Sequence, residues 1–430
     1  MMIDNQGLIL STDSEAAAKL HNQAVQQLLD YKTTAMPTLK SALEIDPEFC
    51  MAHCLRGYML MMYSTTRFHG PALTALASAR AVESKATVRE RAHIVALDYW
   101  AQGDLDRACS SWEAILVDYP LDIIALRLHH FVSFWMGRSK ALITTPAAVL
   151  PAWSKNTPNR GNVLGMLAFG LEESGYTNQA ERYGKEAVEL NPDDLWAVHA
   201  VAHVLETEHR FEDGLEWTRF SKENWEDRNP FRAHLWWHRG LFLLEAGREE
   251  EAVALYDSVI YDTKSDFYLD IQNAAAFLAR LEFRGLHVGD RWDVLADHAH
   301  ANQDDHTIVF TDLHCVMALA RTGRVNDARA YIESMRADSQ KNDFHVAQTL
   351  HRVAIPVCEG ILAYGKGRYT QALELLMHAK PALSAVGASN AQRDLVALYA
   401  IEAAKRTGSE EALRYQLRER DFVSQLGRAR

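Results

Sequence analysis

The sequence predicts an all-α protein: a single domain over residues 1–430, built as a right-handed α-solenoid, or superhelix, of about ten to eleven helical hairpins. Three observations predict it. A short turn phrase recurs along the chain, apolar residues on either side of it fall at three- and four-residue spacing, and prolines close the units.

The phrase is a turn residue, usually Gly, then four residues, then a small residue that opens a new helical run. It reads GDLDRA (103–108), GYTNQA (175–180), HRFEDG (209–214), GREEEA (247–252), GRVNDA (323–328) and GRYTQA (367–372), with a looser GSEEA at 408–412. The small residues Ala108, Ala180, Gly214, Ala252, Ala328, Ala372 and Ala412 stand 72, 34, 38, 76, 44 and 40 residues apart, so each long step spans two units. A period in the high thirties with two helical runs per unit is the mark of stacked hairpins, because no lone hairpin buries both its faces.

Residues 1–145 hold the N-terminal repeats, with weaker ruler positions at Ala35 and Ala72 and a proline stop in DPEF (46–49). In the unit ruled by Ala108, RERAHIVALDYWAQG carries a first stripe of Ala92, Val95, Ala96 and Tyr99. Its second helix carries Ala108, Trp112, Ile115 and Leu116 and stops at YPLD (119–122). Gly at the turn supplies the left-handed conformation, and alanine lets the two helices approach closely. Residues 146–160 depart from the repeat. ALITTPAAVLPAWSKNTPNRG reads as an irregular loop that could cover one mouth of the groove. The central repeats (161–335) are rich in histidine and include a degenerate unit around AAAFLARLEFRG (274–285). The C-terminal repeats occupy 336–430.

Composition narrows the function. A net charge of −12, with no local cluster of Lys and Arg, argues against nucleic acid as a partner. No run of 18 apolar residues exists, which argues against a membrane span, and the N-terminus has no secretory pattern. The 5 cysteines are few and odd in number for a disulfide scaffold, so a reducing, cytoplasmic setting is expected. A homo-oligomer is compatible with all of this.

The hairpin pattern resembles the tetratricopeptide repeat, with ALEIDPEF and AVELNPDD similar to the end of that repeat's second helix. Across most of the chain the sequence also resembles the tetratricopeptide repeat protein 38 family. That likeness rests on RERAHIVALDYWAQGD (89–104), GMLAFGLEESG (165–175), WAVHAVAHVLE (196–206), HLWWHRGLF (234–242), DLHCVMALA (312–320) and SNAQRDL (389–395). It implies a fold and no particular reaction. It also implies that one stripe of each first helix lines the concave surface. That stripe would carry Trp196, His199, His203 and Glu206 in one unit, and His234, Trp237, Leu241 and Leu244 in the next, with His238 one step aside.

Histidines four apart share a helix face, and adjacent hairpins lie about 8–10 Å apart, so imidazoles from two units can converge. The expected polar set on the inner surface is His199, His203, Glu206, His238, Asp312 and His314 as catalytic candidates. His234, Trp237, Arg280, Gln392, Arg393 and Asp394 are the ligand-binding candidates, and His93 stands at a matching position further up. For any single histidine the default is a satisfied interior residue. As a set they support a divalent-metal site, such as zinc on His199, His203 and His234. They equally support a metal-free pocket with His203 as general base and Arg280 or Arg393 gripping an anion. Ala200 excludes the H-E-x-x-H peptidase signature. The expected ligand is a small molecule. The alternative is a non-enzymatic scaffold that holds a partner peptide in its groove.

Overall fold

The computed structural model describes residues 1–220 and 225–418. Its described part is an all-α repeat, as expected. The hairpins run α1/α2 (Glu15–Leu29, Ala35–Ile45), α3/α4 (Cys50–Met62, His69–Ala81), α5/α6 (Val88–Ala101, Leu105–Asp118) and α7/α8 (Ile123–Trp135, Ser139–Val149). They continue as α9/α10 (Arg160–Glu173, Thr177–Leu190), α11/α12 (Leu195–Thr207, Phe211–Trp217), α13/α14 (Phe231–Glu245, Glu249–Leu255) and α15/α16 (Tyr268–Phe283, Arg291–Ala301). Then come α17/α18 (Val309–Arg321, Val325–Asp338) and a continuous run of α19 (His345–Thr349), a π turn (Leu350–Ala354) and α20 (Ile355–Gly365). That run pairs with α21 (Tyr369–Ala379), and α22 (Asn390–Thr407) follows. A small strand pair at Met2–Ile3 and Ile9–Leu10, turned at Gly7, is the one non-helical element that periodicity does not announce.

The turn ruler is accurate. Gly103, Gly175, Gly247, Gly323, Gly367 and Gly408 all have positive φ, and His209 takes the same left-handed conformation where its unit lacks glycine. The small residues Ala72, Ala108, Ala180, Ala252, Ala328 and Ala372 are fully buried where paired helices touch. A Cβ at Gly214 would lie 2.6 Å from the Phe242 ring.

Three expectations need correction. The first stripe of α5 is displaced: Val95 is 47% exposed and Ala92 and Tyr99 are half-buried, whereas Ile94, Leu97 and Trp100 are buried. A first helix here packs against its own partner and both neighbours, so spacing alone does not select the deepest face. The 146–160 loop is instead largely ordered. Helix α8 runs to Val149 with Pro146 inside it, a 3₁₀ turn covers Leu150–Ala152, and Trp153 is buried with its Nε1 donating to the Pro120 carbonyl at 2.9 Å. Leu142 replaces the small ruler residue there, and Gly170 of α9 makes the room for its backbone. Finally, this segment contributes no residue to the lining of the central cavity, where a cover was expected to sit.

The superhelix closes on itself. Backbone from hairpin one meets the entry to α13: the Asn229 amide donates to the Tyr31 carbonyl at 2.7 Å and the Thr33 amide to Asp227 at 2.9 Å. Thr65 Oγ1 donates to Asp305 at 2.6 Å, and Arg67 pairs with Asp266 at 2.7 Å. The N-terminus of α22 docks on α9, with the Asn390 amide donating to Glu173 Oε1 at 2.8 Å. The concave face is therefore interior, which explains why so many of its polar residues are buried.

Buried titratable groups outside the inner cluster give pH dependence in two opposite senses. Burial pushes His21 down to about 3 and Asp270 up to about 7. The unfolded His21 protonates below ~6.5 while the folded one stays neutral, so stability is lost as pH falls from 6.5 toward 3. Folded Asp270 holds its proton below pH 7, so its contribution grows as pH falls from 7 toward the unfolded value near ~3.9. Between pH 7.5 and 5 each group is worth about 2–3 kcal/mol, at 1.36 kcal/mol per unit. Urea unfolding at both pH values is expected to show the His21→Phe variant losing less stability than wild type on acidification. Asp270→Asn is expected to lose more. Equal pH responses in all three proteins would contradict both assignments.

Candidate functional site

The convergence expected of the central histidines is present. One ring nitrogen from each of His199, His203, His234 and His238 lies within 4.8 Å of the others, and all four rings are buried. Helix α11 presents His199 and His203 one turn apart, and α13 presents His234 and His238 at the same interval. The small residues Ala197, Ala200 and Ala202 let α11 seat closely among its neighbours. The Nε2 atoms of His203 and His234 stand 2.9 and 3.1 Å from Nε2 of His199.

The outer edges of the rings settle which nitrogens carry hydrogen. His234 Nδ1 donates to Asn273 Oδ1 at 2.7 Å, and His238 Nδ1 donates to Glu206 Oε2 at 2.9 Å. His203 Nδ1 faces Glu172 Oε2 at 3.6 Å. A neutral imidazole has one N–H, so His234 and His238, donating outward from Nδ1, turn lone pairs to the interior. His238 Nε2 and His199 Nδ1 have no hydrogen-bond partner among the described residues. The inner nitrogens are thus poor in hydrogen and lie 2.9 and 3.1 Å apart around His199, an arrangement suited to a cation.

Electrostatics agree with that chemistry. Burial, reinforced by the neighbouring rings, holds His199 and His203 well below the usual imidazole value. Burial also pushes His234 and His238 down to about 3. All four are neutral at pH 7, the form a metal requires. Beside His203, burial and the adjacent Glu173 carboxylate push Glu172 well above the carboxylate range. Glu172 and Glu173 at the end of α9 form with His203 of α11 a second group of potential ligands, one atom of each lying within 4.8 Å of the others.

Other expected site residues lie elsewhere. Asp312 is bound by His306 Nδ1 at 3.0 Å and Tyr331 OH at 2.9 Å, and His314 donates from Nδ1 to the Phe310 carbonyl at 2.9 Å, so neither belongs to the four-ring cluster. His93 is held by Asp122 at 2.9 Å and Tyr58 OH at 3.1 Å, inside an ion-pair network with Arg89. Arg280 donates to the Ala276 and Ala391 carbonyls and lies 5.4 Å over the Trp237 ring. Trp237 in turn stacks on His234 at 5.2 Å, which makes it a support for that ring. Arg393 reaches the Gly387 and Ala388 carbonyls and Glu173, tying α22 to α9. Gln392 caps α22 by accepting from the Ser389 amide, and it lines the cavity described next. Asp394 is half-buried further along α22.

A cavity of about 250 Å³ opens beside the cluster, lined mainly by aromatic and methionine side chains from α2, α3, α7, α11, α13 and α15. His199 and His234 belong to both cluster and cavity wall. Arg127 of α7 also lines it, a residue that sequence reasoning missed along with Glu172, Glu173, Asn273 and Tyr31. Glu172 was reachable, because it sits at the twelfth position of the unit ruled by Ala180, as Glu206 does one unit later. Asn273 and Tyr31 gave no periodic signal.

A tetratricopeptide repeat family model matches residues 210–266. Solved helical-repeat structures align along the chain at low similarity. One is a structure of Naa15/Naa10 bound to HypK-THB (12% identity, TM-score 0.27, 95% of this chain and 63% of that one). Others are the P58(IPK) TPR domain (14%, 0.20, 92% and 99%) and the APC/C hetero-tetramer Cut9-Hcn1 (13%, 0.27, 96% and 88%). The chain thus spans 63% of the length of the Naa15/Naa10 chain it matches. TM-scores this low support no inference about partners or activity. No helix among the described residues is long and apolar enough to cross a membrane.

Proposed function

We propose that this tetratricopeptide-like chain is a small-molecule-binding protein whose four buried histidines hold a divalent metal ion beside an aromatic cavity. The observation that carries the reading is the meeting of four buried ring nitrogens within 4.8 Å, with His234 and His238 turning their Nδ1–H groups outward to Asn273 and Glu206. Metal-ligating histidines are commonly oriented by such partners. Neutral imidazoles suit zinc, copper, iron and nickel. When bound, such an ion supplies Lewis-acid polarisation or an activated water. His199 and His234, which border the cavity, bring a small molecule within reach of it, the condition for metal-assisted chemistry on that molecule. Within the tetratricopeptide proteins we place the chain nearest the tetratricopeptide repeat protein 38 family, on the six stretches quoted above.

The alternative, a scaffold for a partner peptide, needs an open concave face. Against it stands the inward closure by hairpin one and by α22, which fills that face with the protein's own side chains. Elemental analysis of the purified protein tests the proposal. About one equivalent of a divalent transition metal, or uptake of one equivalent of cobalt with a d–d absorption band, is the expected result. A protein that carries no metal and takes up no cobalt refutes it.

A further inference from the structure

Arg127 is 6% exposed, and its guanidinium lies 5.4, 5.8 and 5.5 Å from the ring centroids of Tyr31, Phe131 and Trp196. Its one hydrogen-bond partner among the described residues is the Tyr31 hydroxyl, at 2.8 Å. No carboxylate of the described residues is in ion-pair contact with it; the buried Asp194 carboxyl acts on it only from beyond contact distance, and a buried charge is costly unless paired. Aromatic faces attract a guanidinium but do not neutralise it. Much of the remaining wall is apolar, including Met36, Met59, Met62, Phe134, Trp135 and Phe231, and the other cation on it, Lys32, is paired with Asp227 at 3.8 Å.

The backbone around its partner is also unusual. Tyr31 has φ of 60°, a left-handed conformation that an aromatic residue adopts only when its surroundings impose it. Those surroundings are the closure itself: the Asn229 amide on the Tyr31 carbonyl, and the Phe231 ring stacked on Tyr31 at 4.4 Å. Local strain is thus spent on holding the hydroxyl against Arg127 at the cavity wall.

We propose that the cavity binds a small apolar monocarboxylic acid, its carboxylate gripped by Arg127 and its apolar body among the methionine and aromatic side chains. A guanidinium fork fits a carboxylate in two-point contact, and one unpaired cation matches one negative charge better than a phosphate dianion. A volume of about 250 Å³ holds roughly eight groups at ~30 Å³ each, the size of a medium-chain or arylalkanoic acid. The inference rests on the reading of this cavity as a ligand pocket and does not depend on the metal.

Octanoate and its neutral counterpart 1-octanol, titrated while tryptophan fluorescence is followed, separate the charge from the apolar body; Trp135 and Trp196 line the cavity and report occupancy. Wild type is expected to prefer octanoate by about 10- to 100-fold, and Arg127→Met to abolish that preference while still binding octanol. Retained octanol binding shows that the variant is folded. Equal affinities in wild type, no binding of either probe, or an undiminished octanoate preference in Arg127→Met would overturn the proposal. Metal analysis of the same wild-type sample distinguishes the two readings. Arg127-dependent octanoate binding without metal leaves this inference standing and removes the metal centre, whereas a metal-loaded protein indifferent to octanoate does the reverse.

Discussion

Replacing His199 by alanine is expected to weaken divalent-metal binding by roughly 100-fold or more, read by competition with a chromophoric chelator at pH 7.5. His199 is the hub, since its Nε2 faces those of both His203 and His234. Removing it breaks the ring of donors and opens a gap, while the remaining three histidines stay neutral and buried. Two controls give the result its meaning. Glu206→Gln keeps an acceptor shape beside His238 but removes the charge, and a loss of about 10- to 100-fold is expected. His314→Ala deletes an equally buried imidazole that stands outside the cluster, and metal content is expected to stay at the wild-type level. If His314→Ala loses as much metal as His199→Ala, the cluster is not the binding site. If all three variants match wild type, no site of this kind exists.

The second large effect concerns closure. Gly137, at the α7/α8 turn, has φ of 66°, and a Cβ there would overlap the Ser384 carbonyl in the 3₁₀ segment Lys380–Val386. Facing it, Gly387 has φ of 77°, and its own Cβ would overlap the Trp135 carbonyl. Two stretches almost 250 residues apart thus touch backbone to backbone. Gly137→Ala forces both a left-handed alanine and a separation of the two segments, so a loss above about 3 kcal/mol is expected in urea unfolding. Gly247→Ala supplies the comparison. It has φ of 72° with no atom within 4 Å of the added methyl, so it pays only the conformational term of about 1 kcal/mol. Equal losses at the two sites would mean that the C-terminal hairpins do not pack on α7 as described. Since Ser389 and Asn390 follow directly, separation at Gly387 would also withdraw the cap of α22 from Glu173, next to Glu172 and the cluster.

Much of this was legible residue by residue. The turn glycines, the buried alanines and the two histidine pairs are local facts: a period near 38 residues, a spacing of four, a left-handed turn. Helical geometry converts such spacings directly into faces, so the sequence alone brings His199, His203 and His234 together, with His238 one step aside. The same logic, applied one unit earlier, reaches Glu172. Asp312 and His314, expected on the inner surface from their place on the first helix of the unit ruled by Ala328, are instead held by His306, Tyr331 and the Phe310 carbonyl. Spacing tells which way a side chain points and not which neighbour arrives first.

Only the tertiary structure decided that the concave surface is sealed, that Arg127 stands in it without a carboxylate, and that Tyr31 is bent to meet it. Each depends on small rotations accumulated over many hairpins, which bring residue 31 to residue 229 and residue 137 to residue 384. A repeat sequence encodes the step from one unit to its neighbour. Where the last units land relative to the first is the sum of all those steps, and no short window of the chain contains it.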